Sequence, residues 1–256
     1  MTDSGLRIGV VGVPGGWSSE GLVDAIADRT GHRLLVDMSK VVCDLENGEV
    51  LYEGVDLCAL DALAIKKPGS PYGRDLLHRL EILEFIASRG VQVFSKPRSI
   101  QKLVDRLGCT MLLRTHGTPM PRTTVTEDLN HAIEAIERYG TVVLKPLYST
   151  KARGMRILKA GNGDDLVEEL ESYRAEFGRV LYIQDKVDMP GRDLGVAFMG
   201  GRYLGTYARV AGSSSWNTTI HDGGHYEAYE TPSEIVELAY RAQKPFGLDF
   251  TTVDVV

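Results

Sequence analysis

The first hundred residues alternate between short β-type runs and amphipathic stretches, and this alternation restricts the fold more than any other feature of the chain. Residues 6–13, LRIGVVGV, read as a buried strand. Pro14-Gly15-Gly16 makes a turn, Ser18 or Ser19 is placed to cap, and 20–30 reads as a helix. Further strands are expected at 34–37, 63–66 and 91–94, and 41–52 reads as a hairpin turning at Glu46-Asn47-Gly48. Residues 74–89 carry apolar side chains at 76, 77, 80, 83 and 86, the spacing of one helix face, and stop at Gly90. Strand and helix in this order imply an open, mostly parallel sheet, so the fold class is α/β.

Beyond this unit, helices are expected at 100–114 and 127–139, the second capped by Thr126 and stopped by Gly140. Two more are expected at 164–176 and 233–246. β runs are read at 141–144, 155–158 and 179–187, then two around Gly200-Gly201, and a last one in the terminal TTVDVV. Three parts are expected: an α/β domain at 1–97, central helices with a small lobe at 98–187, and a β-rich lobe at 188–256.

The stretch 141–155, TVVLKPLYSTKARGM, carries the sharpest chemistry. A buried-type strand ends in Lys145-Pro146 and runs into a loop rich in hydroxyls, cations and glycine. A lysine at a strand end supplies a fixed charge, and such a loop supplies N–H groups and hydroxyls, the needs of a polyphosphate. The spacing of a P-loop is absent. An ordinary hairpin with a solvated basic tip has the same composition. Residues 9–16, GVVGVPGG, superficially match a dinucleotide fingerprint, but the G-x-G is missing and Pro14 has no N–H to offer. His221, Asp222 and His225 invite a zinc reading, which lacks a cysteine or third histidine nearby.

Taken in order, several segments resemble the ATP-grasp superfamily: residues 93–123, the Lys-Pro stretch, RVLYIQDKV, the turn DMPGRD, the hairpin DLGVAFMGGRYLGTYARV, the polar SSSWNTTIHDGG and TTVDVV. The branch they resemble is the ribosomal protein S6 modification (RimK-like) type of amino-acid ligase, and within it the ATP-grasp enzyme of the bacterial GAK-type cassette. The resemblance covers about 90–256. It implies a parallel N-terminal lobe, a small α/β ATP lobe and an antiparallel C-terminal lobe that is incomplete at Val256.

The resemblance also assigns roles. Arg106 and Lys145 would contact phosphates, and Thr150, Lys151, Arg153 and Gly154 would form a loop over the β- and γ-phosphates. Gln184, Asp185, Lys186 and Val187 would be the hinge whose backbone reads adenine, and Asp193 would accept from the ribose. Arg209 and Asn217 would be catalytic at the transferred phosphate, and Asp254 would be the first metal ligand. The other two ligands, a Glu and an Asn, would fall past Val256, so poor turnover is expected of this chain alone. The chain departs from the family at Arg106 for lysine, Asp185 for glutamate and Gly195 where the pattern has arginine, and in the loop, where Lys151 and Arg153 replace glycines.

The implied activity is ATP- and Mg2+-dependent ligation of a carboxylate to an amine through an acyl phosphate, with Mn2+ as an alternative metal. A kinase on the same fold, an impaired ATP-binding module and, more remotely, a Rossmann oxidoreductase are the competing readings. A net charge of −6 over 256 residues argues against general nucleic-acid binding. No apolar run has membrane-spanning length, and Cys43, Cys58 and Cys109 read as reduced thiols of a cytoplasmic protein. The expected partners are a small-molecule or peptide carboxylate and an amine, with a homo-oligomer compatible.

Overall fold

The computed structural model describes residues 5–69, 73, 75–149, 152–161, 163–211 and 224–256. It divides into two units, Met1–Val104 with Phe246–Phe250, and Asp105–Pro245 with Thr251–Val256.

The first unit opens with β1 (Ile8–Val11), α1 (Trp17–Thr30) and β2 (Leu35–Val36). The antiparallel strands β3 (Val42–Asp44), β4 (Glu49–Tyr52) and β5 (Val55–Asp56) follow. β6 (Ala62–Ile65), α2 (Asp75–Ser88), β7 (Gln92–Phe94) and α3 (Pro97–Val104) complete it. The parallel sheet has the order β2-β1-β6-β7, as the alternation implied. Val10, Val11, Val36 and Leu63 from its strands are buried, as are Leu76, Leu80, Leu83 and Ile86, which recur at helical spacing on α2.

The loop after β1 is no phosphate cradle. Val13 N–H donates to Ser19 Oγ (3.1 Å), Gly15 N–H to Glu20 Oε1 (2.8 Å) and Gly16 N–H to the Val13 carbonyl (3.0 Å). The capping expectation is corrected here. The helix begins at Trp17 behind Gly16, and Ser19 lies buried inside its first turn, serving the loop. Gly12 is needed there, because a Cβ would stand 2.8 Å from the Ser19 side chain.

The second unit begins with α4 (Arg106–Thr115), β8 (Thr123–Thr126), α5 (Leu129–Tyr139), β9 (Thr141–Leu144), β10 (Arg156–Lys159), α6 (Gly163–Phe177) and β11 (Leu181–Asp185). Their antiparallel sheet runs β10-β9-β11-β8. Val142, Leu144, Leu158, Leu181 and Ile183 share a buried core with Ala132, Ile136, Leu170 and Tyr173 of α5 and α6. Period-2 alternation therefore gives Val143, Lys145, Tyr182 and Gln184 to the other face.

A second sheet, β14-β13-β12-β15, is built from β12 (Arg192–Met199), β13 (Arg202–Val210), β14 (His225–Ala228) and β15 (Phe250–Val255), with α7 (Ser233–Gln243) before the last strand. Leu194, Val196, Phe198 and Ala208 pack with Ala239 of α7.

Two more expectations are corrected in this unit. The single helix read at 100–114 is two helices, broken at Asp105, whose Oδ1 accepts from Leu107 N–H at 3.0 Å as the N-cap of α4. Asp128 caps α5, accepting from His131 N–H, while the Thr126 hydroxyl accepts from Asp128 N–H one step earlier.

Candidate active site

Lys145 follows β9, and its N–H donates to the Tyr182 carbonyl at 3.0 Å, which ties it to β11. Its Nζ donates to Gln184 Oε1 at 2.6 Å. Arg106, at the start of α4, is drawn to the same strand end. Its N–H donates to the Leu147 carbonyl (3.1 Å), Nε to the Pro146 carbonyl (2.8 Å) and Nη2 to Ser149 Oγ (3.0 Å). Among the described residues both cations meet only neutral oxygens. Burial, then the Arg106 charge, pulls the Lys145 ammonium down to about 8. Burial lowers Arg106 as well. Two half-buried cations without a carboxylate favour an anion between them and solvent.

Gly154 closes the described part of the loop at φ +70°, and a Cβ there would stand 2.5 Å from Phe177 Cζ and 2.9 Å from Pro146 Cγ. Arg153 is exposed. Thr150 and Lys151 lie outside the described residues, as do Asn217, His221 and Asp222. In the expected hinge, Asp185 N–H donates to the Arg122 carbonyl (2.8 Å) and Lys186 N–H to the Thr141 carbonyl (3.0 Å), so both donors serve the sheet. The Asp185 carboxylate pairs with Arg122 at 2.8 Å. Val187 is exposed, with a backbone N–H that has no partner among the described residues.

The second sheet presents a separate polar row. Its register sets Asp193 opposite Arg209 and Gly195 opposite Tyr207, and sets Arg209 opposite Tyr226. Asp193 is buried and accepts from Arg209 Nε at 3.1 Å and from Nη2. Arg209 Nη2 also lies 2.8 Å from Asp254 Oδ1 of β15. Burial alone would lower the Arg209 pKa, but the hydrogen bond to Asp193 and the Asp254 charge outweigh it and raise it. Gly195 is dictated by Tyr207, whose ring a Cβ at 195 would enter. The tyrosine also meets Tyr226 edge-on, centroids 5.3 Å apart.

Among the described residues no group of three or more His, Cys, Asp and Glu is gathered for a metal. His225 instead pairs with Glu227 at 2.9 Å. The donor set at Arg209 is two carboxylates, Asp193 and the 63 % exposed side chain of Asp254. Asp254, the exposed member, suits Mg2+, which is commonly held by one or two carboxylates and completed by phosphate and water.

Comparison with known proteins decides the family. The model of the RimK-like ATP-grasp domain matches residues 104–256. The chain belongs to the RimK-like ATP-grasp family. A tetrahydromethanopterin:alpha-L-glutamate ligase of Methanosarcina acetivorans is 26% identical over 262 residues, covering 95% of this chain and 79% of the relative. The crystal structure of a RimK domain ATP-grasp protein from Sphaerobacter thermophilus superposes with a TM-score of 0.73 at 21% identity, covering 98% of this chain and 86% of that one. The ATP-grasp ligase PsnB, solved with a phosphomimetic variant of its minimal precursor, Mg and ADP, gives 0.69 at 20% identity, over 97% and 85%.

This RimK-like chain is therefore an ATP-dependent carboxylate–amine ligase with the α/β ATP-grasp fold, in a family that uses ATP and Mg2+. Among the described residues no helix is long and apolar enough to cross a membrane. The sequence reading missed Thr110, Thr123 and Tyr182, which join Gln184 beside Lys145. It also missed Tyr207, though the signal was present: in a strand, 207 shares a face with 209.

Proposed function

We propose that this ligase converts a carboxylate to an acyl phosphate with ATP and joins it to the amino group of L-glutamate or a close analogue. The observation that carries the reading is the pair Lys145 and Arg106, half-buried and hydrogen-bonded, among the described residues, to neutral oxygens. A triphosphate matches their charge. The names of the relatives, glutamate ligases, supply the amine.

In this scheme Lys145 and Arg106 hold the α- and β-phosphates, and Thr150, Lys151, Arg153 and Gly154 cover the β- and γ-phosphates. The Val187 N–H is offered to the adenine edge, beside Gln184, Asp185 and Lys186. Asp193, already engaged by Arg209, aims that guanidinium rather than reaching a ribose. A carboxylate oxygen attacks the γ-phosphorus and ADP leaves. The amine nitrogen then attacks the acyl carbon, gives up a proton, and phosphate leaves. Arg209 neutralises charge developing on the transferred group, and Asn217 orients the acyl phosphate or the incoming amine. Asp254 would be the residue that holds Mg2+, which would supply charge neutralisation at the phosphate oxygens.

The test is to incubate the chain with ATP, Mg2+, a panel of carboxylates and L-glutamate. ADP and phosphate are expected in equal amounts only when carboxylate and amine are both present. ADP without phosphate would mark a kinase, and no ADP with any pair would defeat the proposal.

A further inference from the structure

We infer that the Gln184 side chain is a positioning residue for Lys145: its carboxamide seats the ammonium through a neutral acceptor and leaves the charge free for an anionic ligand. This rests on the nucleotide reading above and deepens it, since a hinge needs only extended backbone at 184.

The hydrogen positions around Gln184 follow from its neighbours. Thr123 Oγ1 donates to the Pro121 carbonyl at 3.0 Å, so toward Gln184 it can only accept. Thr110 Oγ1 donates to the Arg106 carbonyl at 2.8 Å, so it accepts from the Tyr182 hydroxyl 2.7 Å away. The Tyr182 oxygen is then an acceptor as well. Both atoms face Gln184 Nε2, at 3.0 and 3.4 Å. The amide nitrogen is thereby fixed on their side and Oε1 on the side of Lys145, 2.6 Å from Nζ. The chain of donors runs from the lysine to the Arg106 carbonyl in the first turn of α4. It couples the seats of Arg106 and Lys145 through one buried amide.

A glutamate at 184 would fail twice. It would bring no donor to two acceptor oxygens, and it would pair with the lysine and cancel the charge that phosphate needs. The charged and titratable groups around this cluster are Arg106 from α4, which depresses Lys145, with Tyr182 from β11, Tyr173 from α6 and Cys109 near that guanidinium.

The experiment pairs two readouts on wild type, Gln184→Glu and Gln184→Met. ATP affinity is measured by calorimetry. The apparent pKa of Lys145 is measured without nucleotide, by competitive acylation across pH with mass spectrometry. Gln184→Glu is expected to raise the Lys145 pKa by about one unit or more and to weaken ATP binding roughly tenfold. Gln184→Met should weaken binding several-fold without raising the pKa. A merely structural role would lower the melting temperature of both variants and leave the Lys145 pKa in place, which overturns the inference. Wild-type affinity in both variants overturns it too. If wild type binds no ATP, the nucleotide reading falls and the acylation readout still decides the amide–amine link. Should Gln184→Glu not fold, Thr123→Val, which frees the amide to flip, takes its place and should lower ATP affinity several-fold. Unchanged affinity there and in Gln184→Met overturns the inference.

Discussion

Lys145 is where charge, burial and binding meet in one side chain. Its free ammonium titrates near 8 because burial, then Arg106, disfavours the cation. A bound phosphate reverses that preference, so ATP affinity should fall as pH rises through about 8 toward 10. Fold stability should move the other way. The unfolded lysine keeps its proton to about 10.5, so between 8 and 10.5 the unfolded state binds more protons and this group's penalty on the fold fades. Below 8 the penalty is fully present. Lys145→Met is therefore expected to weaken ATP binding roughly tenfold or more while its melting temperature stays at or above wild type at pH 7. Calorimetry of binding and of unfolding checks both halves, and a lower melting temperature with unchanged affinity would contradict the account.

At the scale of elements, two features decide the site. Asp105 ends one helix and caps the next, which delivers Arg106 to the Pro146 carbonyl. Asp105→Ala should cost about 1 kcal/mol in denaturant unfolding and also weaken ATP binding, since the arginine loses its fixed start; equal affinity would detach the cap from the site. In the other sheet, Gly195 and Tyr207 are a cross-strand pair in which the ring takes the room of the missing side chain. Gly195→Ala should destabilise by about 1–3 kcal/mol, and adding Tyr207→Ala should recover most of that loss. Additive losses in the double variant would show that ring and glycine are not coupled.

For the molecule as a whole, ligand binding should be felt as stability. ATP at a hundred times its dissociation constant should stabilise the binding unit by about 2.7 kcal/mol. Hydrogen exchange should slow at α4 and β11, which carry Arg106 and Gln184, and at β9, which leads into Lys145. Thermal melts and exchange mass spectrometry with and without ATP measure this. Protection confined to the first unit's parallel sheet would move the nucleotide site elsewhere.

The sequence by itself determined the parallel sheet, the α2 core face, the hairpin at Gly48 and the strand Thr141–Leu144. These depend on period, turn residues and neighbours in sequence, which are local. It also marked Lys145, Arg106, Asp193, Arg209 and Asp254 as the residues of interest. Only the tertiary structure decided their partners. The helix break at Asp105 goes with an arginine reaching a carbonyl forty positions away, and the Lys145 seat is an amide thirty-nine positions away. That Gly195 exists to admit Tyr207, and that Asp193 is spent on Arg209, follows from strand register. Register is set by packing of the opposite, apolar face, so no reading of the polar residues alone could supply it.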